Sequence, residues 1–301
     1  MERTLKLKIY FLSVLTMSFC AMTFSSTAQL PSTELYMFNI LNNGKTISLK
    51  NPTYLSDFNP NGYNNQPSFM NPRDVIITSN VYDKDFTDFI KLDLSAEKYY
   101  RITATDSISE YSPTVDAPDR SFSAVRVEKD GVTQSLWLYP DNHNGYGQRV
   151  LSDIGNVGYH LWLNTTEVAL FLVDNPMKMA LADIETGEVN IIGENIGRCF
   201  KKGGLNEFYY VEKSDADWSI KKYNTATSQS MAVIKTLAQS EDYDILNDGT
   251  FIMGQGSKLY KFHPEKDKSW IEVGDLSEYG ISEISRITSS RNKLILVNNP
   301  S

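Results

Sequence analysis

The stretch Gln66–Thr103, QPSFMNPRDVIITSNVYDKDFTDFIKLDLSAEKYYRIT, decides the fold. Within it, FIKLDL places Ile90, Leu92 and Leu94 on one side and Lys91 and Asp93 on the other. That alternation is the period of a half-buried β-strand. QPSFM and VIITSN flank the turn NPRD, and FIKLDL and YYRIT flank the turn SAEK, so the segment is two successive hairpins. Asn, Pro, Asp and Ser supply the backbone angles that such turns need.

Both hairpins recur along the chain. The first type returns as SPTVD-APDR-SFSAVRV, YHLWL-NTTE-VALFLV, RCFKK-GGLN-EFYYVE, YDILN-DG-TFIMG and ISRIT-SSRN-KLILVN. One apolar anchor tracks through the six copies: Phe69, Val115, Trp162, Phe200, Ile245 and Ile287. Its mean spacing of about 44 residues, with four strands per unit, is the period of β-propeller blades. The second type alternates with the first. The chain opens, however, with an unpaired copy of the second type at Tyr36–Lys50 and finishes with an unpaired copy of the first at Ile284–Asn298. Left apart, each orphan exposes open strand edges. Joined, they complete one sheet. The expectation is therefore an all-β, six-bladed propeller whose last blade is closed by the two terminal hairpins. Two stacked sheets or a solenoid would give no reason for complementary orphans.

The first residues read differently. MERTLKLK carries Arg3, Lys6 and Lys8, an apolar run follows from Ile9 to Phe24, and Ser26 and Ala28 are small. This is the three-part pattern of a secretory signal peptide, cleaved near Ala28. The run of 16 residues falls short of a bilayer span. Residues 29–301 would then form the propeller, in the periplasm or secreted, with no later membrane span and Cys199 as the sole thiol. With 37 acidic and 29 basic side chains, the net charge is -8, which argues against nucleic acid as a partner.

The repeat QPSF…DVIITSN…FIKLDL…YYRIT and the segment YSPTV-APDR resemble the repeats of TolB-like periplasmic propellers. SEYSPTV, VGYH, NIGR, SEDY and GSKLYK are similar to one bacterial subfamily of secreted TolB-like proteins, and the likeness runs from about residue 34 to 298. TolB itself carries an additional N-terminal α/β domain, for which this chain has no room. The resemblance implies the fold and an extracytoplasmic place; a role in the Tol–Pal system does not follow from it.

Catalytic signatures are scarce. The three histidines, His143, His160 and His263, form no HExxH or HxH pattern, and no CxxC occurs, so no metal or cofactor is expected. Sialidase boxes and a GxSxG elbow are also missing. Gly254–Lys258 and Asn247–Thr250 read as hairpin turns rather than a phosphate or calcium loop.

One constellation remains. Residues starting the innermost strands should ring the mouth of a central channel: Asn65, Gln66, Glu110, Tyr111, Tyr159, His160, Arg198, Glu241, Asp242, Tyr243, Glu283 and Arg286. Gln66, Glu110, Tyr111, Tyr159, His160, Arg198, Asp242, Tyr243 and Arg286 are the candidate ligand residues. Arg198 and Arg286 could clamp a carboxylate by forked hydrogen bonds. The expected function is a non-catalytic binding or scaffolding module for a small polar ligand, a glycan or peptide, or an envelope protein. The alternative is a hydrolase or lyase on carbohydrate or peptide. There His160 would be general base, oriented by Glu110 or Asp242, with Arg198 binding developing charge.

Overall fold

The computed structural model describes residues 30–115, 117, 122–140, 147–214 and 217–300. The signal-peptide segment, His143 and most of the APDR turn lie outside them.

The strands form six four-stranded antiparallel sheets. Ordered from inside outward, blade 1 is Asn64–Phe69, Asp74–Ser79, Asp88–Asp93 and Lys98–Arg101. Blade 2 is Ser109–Thr114, Phe122–Val127, Gln134–Tyr139 and Gln148–Val150. Blade 3 is Val157–Trp162, Glu167–Leu172, Lys178–Asp183 and Val189–Glu194. Blade 4 is Lys201–Lys202, Glu207–Lys213, Trp218–Asn224 and Gln229–Lys235. Blade 5 is Tyr243–Ile245, Phe251–Gln255, Lys258–Phe262 and Ile271–Asp275. Blade 6 takes Ile284–Ser290 and Lys293–Asn298 from one end of the chain, and Glu34–Asn42 and Ile47–Tyr54 from the other. The fold is a six-bladed β-propeller closed by its termini. In the shared sheet, Glu34 faces Asn298 and Asn39 faces Lys293.

Blades twist, so each must bury its faces against its neighbours. Six apolar clusters do this, one at every blade interface. Leu35, Ile295 and Val297 of the closing blade pack on Val75, Ile77 and Ile90 of blade 1. Each of the six repeat anchors lies in a different cluster, sealing its blade against the preceding one. The 44-residue period is therefore the period of the inter-blade core.

The inner strands are irregular where they meet the channel. Register shifts interrupt pairing between Asn65 and Ser68 and between Tyr111 and Thr114. Gln66 and Ser112, at these bulges, have φ of 55° and 54°. Left-handed backbone is uncommon away from glycine. A bulge here re-aims the side chain and turns both residues onto the channel wall.

Candidate functional site

The central channel has a volume of about 310 Å³ and is lined by inner-strand segments of all six blades. Its halves differ. Blades 1 to 3 supply uncharged groups, among them Gln66, Ser112, Tyr159 and His160. Blades 4 to 6 supply Arg198, Lys201, Lys202 and Arg286 against Asp242 and Asp244. Four cations face two carboxylates, so this spot is cationic within an acidic molecule.

Two ion-pair groups organise the charged half. Arg286 donates from Nη2 to the Tyr159 hydroxyl at 2.5 Å, stacks over that ring at 5.1 Å, and places Nη1 3.6 Å from Asp242 Oδ2. Asp242 Oδ1 accepts from the Ile287 N–H at 3.0 Å. Burial raises the Asp242 pKa, opposed by Arg286 and Arg198. This is a one-to-one pair. Glu241 is shared instead. Its Oε2 lies 2.8 Å from Lys213 Nζ and accepts the Arg198 main-chain N–H at 3.1 Å. The Arg198 guanidinium stands 3.7 Å from Glu241 Oε1, and Nη2 donates to the Ser285 carbonyl at 3.3 Å. Burial works against the Glu241 charge, but Arg198 and Lys213 outweigh it and lower the pKa. Gly197 permits this packing, since a Cβ there would come 2.8 Å from Glu241 Oε2. Two cations thus share one carboxylate, and Arg198 Nε has no hydrogen-bond partner.

Deeper in the channel, Lys201 Nζ sits 3.0 Å from Asp244 Oδ1, and Asp244 Oδ2 accepts from Ser289 N and Oγ at 2.6 Å. The sequence reading stopped at the strand starts and missed this pair. The signal was present, because period two puts Asp244 on the face of Asp242. Lys213 was also missed. It ends the second strand of blade 4 and meets Glu241 only through the fold. Tyr63 was missed as well. It is buried beside Tyr111 at 6.2 Å, and burial raises its pKa while the Arg286 and Arg198 charges oppose the rise.

Not every expected mouth residue faces the channel. Tyr243 is fully buried in the interface of blades 4 and 5, with its hydroxyl unpartnered. Alternation explains this, since Asp242 and Asp244 take the channel side. Glu110 is fully buried toward Tyr139, whose hydroxyl donates to its Oε1 at 2.5 Å. Burial pushes its pKa up to about 7, opposed by Thr103 and Tyr139. Tyr111 packs against the core of blades 2 and 3.

His160 lines the channel but is 7% exposed. Its Nε2 lies 2.6 Å from Ser123 Oγ, which also accepts from Trp162 Nε1 at 2.8 Å, and its Nδ1 has no hydrogen-bond partner. Burial lowers its pKa to about 3. Neither Glu110 nor Asp242 is hydrogen-bonded to it, so the constellation drawn for general-base catalysis is not assembled. Among the described residues, no group of three His, Cys, Asp or Glu side chains converges as a metal ligand set. No described helix is long and apolar enough to cross a membrane.

Arg198 borders two further cavities. One of about 410 Å³ lies between Tyr159, Phe171, Pro176, Met177 and Ile196, with Lys213 and Glu241 at its edge. The other, of about 450 Å³, is polar and includes Glu241, Asp242 and Glu283.

No family model matches the chain, and no curated protein matches it in sequence. Solved structures match in fold. The chain is similar to a TolB assignment from Agrobacterium tumefaciens at 9% identity and TM-score 0.63, covering 89% of this chain and 98% of that one. It is similar to a chain of the nidogen–laminin complex at 8% identity and TM-score 0.56, covering 88% and 84%. It is similar to TolB of Acinetobacter baumannii at 11% identity and TM-score 0.56, covering 90% of this chain but 64% of the length of that one. These likenesses establish the propeller architecture, which TolB-type proteins share.

Proposed function

We propose that this propeller is a binding module, periplasmic or secreted, that takes a small anionic ligand at its channel mouth. The observation that carries the reading is the two-to-one sharing at Glu241. Lys213 already pairs with that carboxylate at 2.8 Å, so Arg198, 3.7 Å from it and nearly a third exposed, has only a shared counter-ion. A carboxylate or phosphate at the exposed part of the guanidinium supplies the remaining negative charge. The net-cationic channel behind it focuses an attractive field on such a ligand. Peptide ends, acidic glycans and an envelope protein presenting a carboxylate all fall within this chemistry. The extracytoplasmic placement rests on the N-terminal pattern and the TolB-like repeats.

The hydrolase or lyase alternative draws less support. His160 is neutral, held by Ser123, and makes no hydrogen bond to the carboxylates meant to orient it. The test is calorimetric titration with acetate, succinate and inorganic phosphate at low ionic strength. Binding that weakens with salt and is lost in Arg198→Gln is expected. Identical behaviour of the wild type and Arg198→Gln toward all three probes overturns the reading.

A further inference from the structure

The side cavity beside Arg198 says more about the ligand, given the mouth reading just made. Tyr159 and Arg198 belong at once to the channel wall and to the cavity wall, so the two spaces meet at the guanidinium. Their chemistry differs. Phe171, Pro176, Met177 and Ile196 make the cavity apolar on one side. Phe171 and Ile196 are buried from below, while Met177 is 38% exposed at the rim. Its volume of about 410 Å³ lies within the usual range for small-molecule sites and exceeds the needs of one aliphatic side chain.

We propose that the ligand is the α-carboxylate end of a molecule terminating in an apolar amino acid, with the carboxylate on Arg198 and the side chain between Phe171 and Met177. A carboxylate alone leaves the apolar wall wet, and an apolar molecule alone leaves Arg198 with only the counter-ion it shares with Lys213. An α-carboxylate with its side chain one carbon away answers both, because Arg198, together with Tyr159, forms the border of the two spaces. The wall also strengthens the charge contact by removing water from one side of the guanidinium. Glu241 does not repel the incoming group, because Lys213 and Arg198 flank it.

The experiment uses N-acetylglycine, N-acetyl-leucine, N-acetyl-leucinamide and a tetrapeptide ending in leucine, titrated into wild type, Met177→Asp and Arg198→Gln. N-acetyl-leucine is expected to bind the wild type about 10- to 100-fold more tightly than N-acetylglycine, the factor for burying a leucine side chain. The amide should lose that binding. Met177→Asp, at a partly exposed loop position, should wet the apolar wall and shrink the leucine-over-glycine preference toward one, while its added charge weakens both acids. Arg198→Gln should weaken every acid. Equal affinity for the glycine and leucine acids in the wild type overturns the side-cavity assignment while the mouth reading stands. An amide that binds as well as the acid, or no acid binding at all, overturns both. A tetrapeptide that binds at least as tightly as N-acetyl-leucine identifies a peptide end as the source, and one that fails to bind restricts the site to free N-acyl amino acids.

Discussion

Arg286 and Asp242 form a one-to-one ion pair across blades 5 and 6, with Nη1 3.6 Å from Oδ2 and both side chains mostly buried. Arg198, which precedes the inner strand of blade 4, is nearly a third exposed and shares its carboxylate with a lysine. The two arginines therefore have different roles. Arg286→Gln leaves Asp242 buried without its partner and should cost about 3 kcal/mol in urea unfolding. Arg198→Gln should change stability by less than about 1 kcal/mol, since exposed pairs contribute little. A comparable stability loss in the two variants would contradict this division.

Glu110 should make the protein less stable as pH rises. Its carboxyl goes from 4.5 to about 7 on burial, opposed by Thr103 and Tyr139, with Asp88 and Arg126 nearby. Below pH 4.5 it is protonated in both states and contributes no penalty. Between 4.5 and 7 the unfolded chain releases the proton and the folded one retains it. Stability should fall by about 3 kcal/mol over that window and stay level above it. Glu110→Gln should flatten the profile and exceed the wild type in urea midpoint at pH 8.

His160 acts in the opposite direction. Burial lowers its pKa from 6.5 to about 3, so the folded state refuses a proton that the unfolded state accepts. Its contribution is complete above pH 6.5 and is lost progressively as pH falls toward 3. His160→Gln keeps a partner for Ser123 and cannot titrate. The variant should lose about 1.4 kcal/mol less per pH unit than the wild type between pH 6 and 4. Unfolding curves at four pH values decide this, and parallel profiles would count against it.

Asn298 ties the ends of the chain together. It is fully buried, Nδ2 donates to Glu34 Oε2 at 2.8 Å, and Oδ1 accepts from the N–H groups of Ser282 and Glu283 at 2.9 and 3.0 Å. Asn298→Ala removes these bonds, along with longer ones at 3.4 Å from Ser282 Oγ and to the Gly280 carbonyl, and should cost about 2–4 kcal/mol. In a double-mutant cycle with Glu34→Gln, the coupling should be a small part of that loss, because most of it comes from the two main-chain donors.

The ring was legible because the physics that builds it is periodic. Strand alternation marks the sheets, and the anchors Phe69 to Ile287 mark one core cluster per blade interface. The orphan hairpins then leave closure as the sole way to pair their edges. The site was legible only at its first layer. Arg198 and Asp242 lead into inner strands, Arg286 lies near the start of one, and all three line the channel. Tyr243 was misplaced because neighbours in a strand cannot share a face, and Glu110 turns from the channel toward Tyr139 of its own blade. Lys213 and Met177 sit at loop ends far along the chain from the mouth strands, and no local pattern marks them as neighbours of Arg198.

The shared sheet also sets a timetable. The strand Glu34–Asn42 is made long before Lys293–Asn298, yet that later strand is the partner for one of its edges. Until then the nascent molecule is an open arc with two bare rims, each a template for pairing with a neighbour. The circle closes only once Lys293–Asn298 has been made, so any holding factor must shield those rims until then, and deleting that strand would unfasten the whole circle.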